Sequence, residues 1–144
     1  MKYEVRKYET IDMSRLIVDK DQREIVAFVG AEAFNSTRGP GHTALADGEL
    51  IVIAGINILW PGVGEAWAFL GGSYRKHGRF IHRTVKNMLS EIAFDLKLER
   101  VQAAVEEGHW AGIRWVDVLG FKFEGEMPGY FRGKTYLRYA KIFY

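Results

Sequence analysis

The sequence has no cysteine among its 144 residues. Disulfide bonds, thiolate metal ligands and a cysteine nucleophile are therefore excluded. Its four histidines show no metal-ligand spacing, since even His77 and His82 are five residues apart and would not share a helix face. The sequence therefore predicts no bound metal.

Long apolar runs are also missing. The longest, around Leu50 to Trp60, is interrupted by Gly55 and Asn57 and is far shorter than the roughly 20 residues that a membrane-spanning helix needs. The first residues carry no apolar secretion segment. We expect a cytoplasmic protein with no membrane partner.

Neither sign of charge dominates, because 20 Lys and Arg face 18 Asp and Glu. This balance argues against a nucleic-acid partner for the chain as a whole. A local basic track remains as an alternative, with aromatic rings for base stacking. It ranks last because the same helix face carries Glu91 and Asp95. Its residues are Tyr74, Arg75, Lys76, Arg79, Phe80, Arg83 and Lys86.

Apolar residues make up 48% of the chain and aromatic residues 14%, which is enough for one packed domain over residues 1–144. The periodicities predict strands and helices in a definite order. The predicted N-terminal elements are a strand (3–8), a short helix capped by Thr10 or Asp12 that buries Met13, Leu16 and Ile17, a second helix starting at Asp21, a hairpin turning at Asp47-Gly48, and a strand from Glu65 to Leu70.

The strongest helical pattern runs from about Gly78 to Leu98, with an apolar stripe that starts at Ile81 and Val85 and a polar face that includes His82. The strand, helix and strand around it predict a right-handed parallel crossover. The predicted elements after this helix are a strand (100–107), a helix (110–119) and two strands (121–125 and 135–144) joined through Pro128-Gly129 and Gly133.

A basic segment, Tyr74 to Phe80, joins a predicted strand to the start of this long helix. Free backbone N–H groups and the helix dipole favour an anion there. Gly78 would let the backbone approach a pyrophosphate closely, and Arg75, Lys76 and Arg79 would add charged hydrogen bonds. A solvated basic helix start explains these residues equally well.

Two segments resemble the GCN5-related N-acetyltransferase (GNAT) family. Arg75, Gly78 and Phe80 fall on its Gln/Arg-x-x-Gly-x-Gly/Ala pattern, although Phe80 replaces the last small residue. The segment from His109 to Phe121 is similar to a second family motif. There His109 replaces an asparagine that lies near coenzyme A, and Val116 replaces the tyrosine that protonates the leaving thiolate.

This resemblance implies an α+β fold, in which a mixed, mostly antiparallel sheet of about seven strands is flanked by four helices and contains one parallel crossover. It also implies transfer of acetyl from acetyl coenzyme A (acetyl-CoA) to an amine, on a small molecule or a protein, that the sequence does not identify. A homodimer paired through the last strand, with Tyr139 and Phe143, is a further expectation. The expected coenzyme contacts are Phe69, Leu70, Arg75, Lys76, His77, Gly78, Arg79 and Phe80.

A narrower resemblance is to small acetyltransferase-like proteins of tailed bacteriophages, some of them internal virion proteins. It rests on the run from Gly62 to Trp67 and on Ile113 to Phe121. It implies a second hypothesis, a non-catalytic accessory or virion-associated binding protein in the host cytoplasm or the virion. On this hypothesis, Phe80 and Val116 depart from the family motifs because catalysis has been lost.

Acetyl transfer to an amine needs a base, because amines with a pKa near 10.4 are protonated at neutral pH. Glu65 is the first candidate, although it stands one residue out of phase with the family's glutamate and would be a surface carboxylate otherwise. Glu106 and Glu107 are rivals. His109 is a candidate proton carrier or coenzyme contact, with helix capping as the alternative. A set of aromatic residues could line an acceptor cleft or pack in the apolar core. They are Trp60, Trp67, Trp110, Trp115, Tyr130 and Phe131.

Overall fold

The computed structural model describes residues 1–16 and 39–143. Their elements, in chain order, are β1 (Tyr3–Lys7), α1 (Ile11–Arg15), β2 (Gly41–Ala46), β3 (Glu49–Trp60), β4 (Val63–Leu70), a 3-10 helix (Tyr74–His77), α2 (Gly78–Asp95), β5 (Arg100–Glu106), α3 (Trp110–Val118), β6 (Lys122–Phe131) and β7 (Lys134–Ile142).

The seven strands form one mixed sheet in the order β1-β2-β3-β4-β5-β7-β6. Only β4 and β5 are parallel, and α2 connects them. This confirms the predicted α+β architecture and its parallel crossover. The described residues contain three of the four expected α-helices, and the helix predicted from Asp21 lies outside them.

Each face of the sheet has its own apolar cluster. The larger cluster packs α2, through residues such as Ile81, Val85 and Leu89, against the strands. The smaller cluster lies on the other face, where Met13 and Leu16 of the α1 segment pack against β-strand residues. The alternation along β4 therefore sends Ala66, Ala68 and Leu70 towards α2 and sends Trp67 and Phe69 towards α1.

Asp12 fastens α1 to the sheet. Its fully buried carboxylate accepts two hydrogen bonds from Arg6, at 2.7 and 2.9 Å, one from the Thr43 hydroxyl at 2.7 Å and one from the Glu9 backbone N–H at 2.9 Å. The predicted helix cap is wrong in its chemistry, because Thr10 makes no side-chain cap and Asp12 lies inside the helix. Burial alone would raise the pKa of Asp12, but these hydrogen bonds outweigh it and lower the pKa.

The C-terminal strands differ from their predicted form. β6 extends to Phe131 and includes Pro128, which a strand tolerates at the edge of a sheet where its missing N–H is not needed. β7 pairs with β5 on one side and with β6 on the other, and Tyr139 is buried. The predicted dimerisation through the edge of the last strand is therefore wrong, because β7 lies between β5 and β6 and has no open edge.

Candidate functional site

A cleft opens where β4 and β5 separate. The two strands pair through Val63, Gly64 and Glu65 of β4, opposite Arg100, Val101 and Gln102 of β5. In the described chain they are not paired beyond Glu65, although both continue, to Leu70 and Glu106. A cavity of about 330 Å³ occupies the space between the diverging strands and the helices α2 and α3.

This cavity is lined from both faces of the sheet. On the helix side its walls are apolar and include Ala68, Leu70 and Val85. Trp67, Glu106 and Tyr136 also line it, and their positions in the strands place their side chains on the opposite face. Residues of both faces therefore border the gap between the two strands.

The predicted anion loop lies beside the cavity, between the end of β4 and the start of α2. Arg75, Lys76 and Arg79 are exposed, and the guanidinium of Arg75 lies 5.0 Å from the centre of the Tyr74 ring. None of the three forms an ion pair with another described residue. Their charges are therefore available to a ligand as far as the described residues are concerned.

Gly78 begins α2 with ordinary helical angles, φ −53° and ψ −44°. A Cβ at this position would meet no atom within 4 Å, so neither conformation nor internal packing requires glycine here. A ligand close to the backbone would require it, because a side chain would fill the space in front of the helix start. The residues present thus fit a phosphate-bearing coenzyme.

Two of the predicted coenzyme contacts turn away from this loop. The His77 side chain is buried and its Nδ1 lies 3.0 Å from the Tyr3 hydroxyl. The Phe80 ring stacks on the Tyr3 ring, with centroids 3.8 Å apart. The Phe80 ring, at the position where the family has a small residue, thus packs against β1. His77 can contact a coenzyme phosphate only through its backbone.

The predicted contacts on β4 also divide. Leu70 lines the cavity, whereas the Phe69 side chain belongs to the smaller apolar cluster and is 5% exposed. Gly55 of β3 lets the Trp67 indole lie close to that strand, because a Cβ on Gly55 would stand 2.7 Å from the indole. A larger residue at position 55 would push Trp67 out of its place in the cavity wall.

Glu65 does not line the cavity. It stands where β4 and β5 still pair, and its Oε1 accepts hydrogen bonds from Gln102 at 3.0 Å and from Arg138 at 3.1 Å. Glu106 does line the cavity, at the open end of β5, and forms an ion pair with Lys134 at 3.4 Å. The geometry thus favours Glu106, the rival candidate, over Glu65 as the carboxylate that an acceptor would meet.

His109 occupies the position before α3 and lines the cavity. Its side chain does not cap the helix, so the capping alternative is wrong. Gly112 packs closely beside it, because a Cβ on Gly112 would lie 2.9 Å from His109 Nδ1 and the ring would have to shift. Val116 also lines the cavity and presents no hydroxyl to it.

The sequence placed His82 on the polar outer face of the long helix, but the structure places it in the cavity wall. Its Nδ1 accepts a hydrogen bond from the Trp115 indole N–H at 3.2 Å. Of the predicted aromatic residues, Trp67 and Trp115 line the cavity, whereas Trp60 and Trp110 are exposed. The rings of Tyr130 and Phe131 lie beside the ring of Tyr136, with centroids 5.3 and 6.1 Å from it.

No group of three metal-ligating side chains comes together within residues 1–16 and 39–143. No helix among these residues combines the length and the apolar character of a membrane span.

Comparison with known proteins gives structural matches only. No protein-family profile matches the sequence, and no curated protein matches it. Among solved structures, one assigned as a phosphinothricin N-acetyltransferase is similar with a TM-score of 0.79 at 13% identity, covering 99% of both chains. An IAA acetyltransferase from Bacillus cereus gives 0.73 at 14% identity, covering 99% of this chain and 100% of that one.

A ribosomal-protein-S5-alanine acetyltransferase from Vibrio fischeri gives a TM-score of 0.71 at 15% identity, covering 97% of this chain and 92% of that one. At such identities the likeness establishes the fold and not the substrate. The seven-stranded mixed sheet with its parallel β4 and β5 is the GNAT fold of N-acetyltransferases.

Proposed function

We propose that this protein is an N-acetyltransferase that binds acetyl-CoA and transfers its acetyl group to an amine. The observation that carries the proposal is the cavity between the parted strands, which reaches both faces of the sheet beside a basic helix start. The phosphates would lie at the start of α2, on the open side of Gly78, with Arg75, Lys76 and Arg79 as charged partners.

The acyl end of acetyl-CoA would lie in the cavity, where Leu70 stays our predicted contact for the pantetheine arm. The mostly apolar walls exclude water from the thioester, which strengthens electrostatic interactions there. The amine would approach from the opposite face, past Trp67 and Tyr136.

Glu106 is our proposed base, because it is the carboxylate in the cavity lining of the described chain. The ammonium form of the amine first loses a proton to water. The neutral nitrogen then attacks the thioester carbonyl carbon, the new C–N bond forms, and a second nitrogen-bound proton passes to Glu106. The C–S bond then breaks and its electron pair stays on sulfur. Lys134, 3.4 Å from Glu106, holds the carboxylate at the mouth of the cleft.

A second candidate function is a binding module that keeps the fold without turnover. Val116 favours it, since the cavity has no hydroxyl at that position. The narrower bacteriophage resemblance, with a virion or host-cytoplasm location, belongs to this candidate. A cytoplasmic location and a homodimer through a surface other than β7 remain proposals for either function.

Calorimetric titration with acetyl-CoA tests the binding site. We expect micromolar binding to the intact protein, lost in Arg75→Glu and retained in Lys122→Glu, which makes the same charge reversal at an exposed position of β6. Equal loss in both variants would show a general charge effect. Absence of binding to the intact protein would refute the enzyme and favour the non-catalytic module.

Thioester consumption with a panel of amines then separates enzyme from binding module. In an enzyme using Glu106, the Glu106→Gln variant should lose about 100-fold or more in rate, whereas Glu65→Gln should change the rate little. Binding of acetyl-CoA without turnover on any amine would support the binding module. A larger loss in Glu65→Gln than in Glu106→Gln would overturn our choice of base.

A further inference from the structure

The His82–Trp115 hydrogen bond fixes which nitrogen of the imidazole carries the proton. An indole N–H can only donate, so His82 Nδ1, 3.2 Å away, must accept. In the neutral ring the proton is then on Nε2. Trp115 therefore holds His82 in one tautomer and one orientation.

This leaves the Nε2–H of His82 as a donor in a largely apolar place. The side chain is half-buried and lines the cavity, and no described residue accepts from Nε2. Its neighbours in the lining on the helix side include Ile81, Val85 and Val116, which offer no acceptor. A ligand that displaces solvent from the cavity would have to supply an acceptor for this N–H, because a buried donor without one is costly.

We propose that His82 donates its Nε2–H to the thioester sulfur of the bound acyl-CoA and stabilises the charge that develops there. The inference rests on the proposed function and names a catalytic residue for it. Trp115 is its positioning residue. His82 would supply the hydrogen bond to sulfur at a cleft where Val116 has no hydroxyl to give.

The proton balance follows from the tautomer. When the C–S bond breaks, the electron pair goes to sulfur and the His82 proton remains on Nε2, because losing it would leave an anionic ring whose Nδ1 is already bonded to Trp115. The amine proton goes to Glu106, and the thiolate takes a proton from water as it leaves. His82 thus stabilises a charge and does not exchange a proton.

Nitrogen-15 NMR of the imidazoles tests the tautomer without turnover. We expect the His82 signals of the intact protein to be those of the Nε2–H form. In Trp115→Phe they should show a mixture of the two tautomers, since phenylalanine is also aromatic but lacks the N–H donor. The signals of His42 and His77 serve as internal controls and should not move. An Nδ1–H form in the intact protein would overturn the inference.

Comparing coenzyme A with desulfo-coenzyme A, which has hydrogen in place of the thiol, tests the contact. The His82 Nε2 signal should shift with coenzyme A and much less with the desulfo analogue. An equal shift with both would place the donor on the pantetheine arm and overturn the sulfur assignment. If neither compound shifts any signal of the protein, the proposed function itself has failed.

Kinetics give the third readout. Removing one donor to a developing charge typically lowers kcat by about 100-fold or more, so His82→Phe should lower kcat with KM for acetyl-CoA nearly unchanged. Trp115→Phe should lower kcat by a smaller factor. A rise in KM alone would show that His82 only binds the coenzyme and would refute its role at sulfur.

Discussion

Replacing Gly78 by aspartate should separate stability from ligand binding. The residue is the first of α2, has helical angles, and has open space where a side chain would begin. Aspartate is better than glycine in a helix by about 0.3 kcal/mol, and its charge at a helix N-terminus adds roughly 0.3–1 kcal/mol. The variant should therefore be about 0.6–1.3 kcal/mol more stable, which raises Tm by about 2–5 °C.

The same carboxylate should abolish coenzyme binding. A unit charge about 4 Å from a phosphate, at an effective dielectric constant near 20, costs about 4 kcal/mol, or roughly a thousandfold in Kd. Thermal unfolding and calorimetric titration with acetyl-CoA measure the two effects on one preparation.

Ser90→Asp is the matched control for Gly78→Asp. Ser90 is exposed on the same helix, about 18 Å further along its axis, where salt screens the added charge from the loop. Its affinity for acetyl-CoA should be unchanged. If Gly78→Asp binds within threefold of the intact protein, the phosphates do not lie at this helix start and the proposed coenzyme site is wrong.

Three further predictions concern stability. Asp12→Asn should cost about 1.5–3 kcal/mol in urea unfolding, because it removes the charged acceptor of hydrogen bonds from Arg6, Thr43 and the Glu9 N–H at a buried site. Glu124→Gln, at the equally bidentate but more exposed pair with Arg100, should cost less than about 1 kcal/mol. Equal costs would refute the role of burial. Because the folded pKa of Asp12 lies below its ordinary 3.8, its contribution is present above that pH and lost as the pH falls through the folded pKa, so stability curves of Asp12→Asn should be flatter in acid. Gly112→Ala should lower Tm, since the new methyl group would press on His109 Nδ1 at 2.9 Å; an unchanged Tm would show that the ring moves aside freely.

Local patterns were sufficient for most of the fold. The hairpin at Asp47-Gly48 has φ angles of 49° and 83°, as its residue types indicate. The long helix begins at Gly78 as predicted and ends at Asp95, three residues before the predicted end. Pro128 made β6 look like a turn, because the rule against proline in strands does not hold at a sheet edge and the sequence does not say which strand is at the edge.

The site was harder to predict because its partners are distant in sequence. Helix periodicity placed His82 on the polar face of the long helix, and only its contact with Trp115, 33 residues later, shows that it faces the cavity. Glu65 was visible as a carboxylate, but its bond to Arg138, 73 residues away, was not. Residue type and period indicate the kind of site, whereas side-chain assignment needs the tertiary structure.

The short pairing of β4 with β5 divides the sheet into two panels. One panel is β1 to β4, and the other is β5, β7 and β6, in which β5 is paired along its whole length with β7. The panels are joined within the sheet at Val63, Gly64 and Glu65. A small rotation about this joint would change the width of the cleft while each panel kept its own hydrogen bonds. Substitutions in β7 or β6 that do not touch the cavity can therefore alter how a ligand fits in the cleft, by tilting one panel against the other.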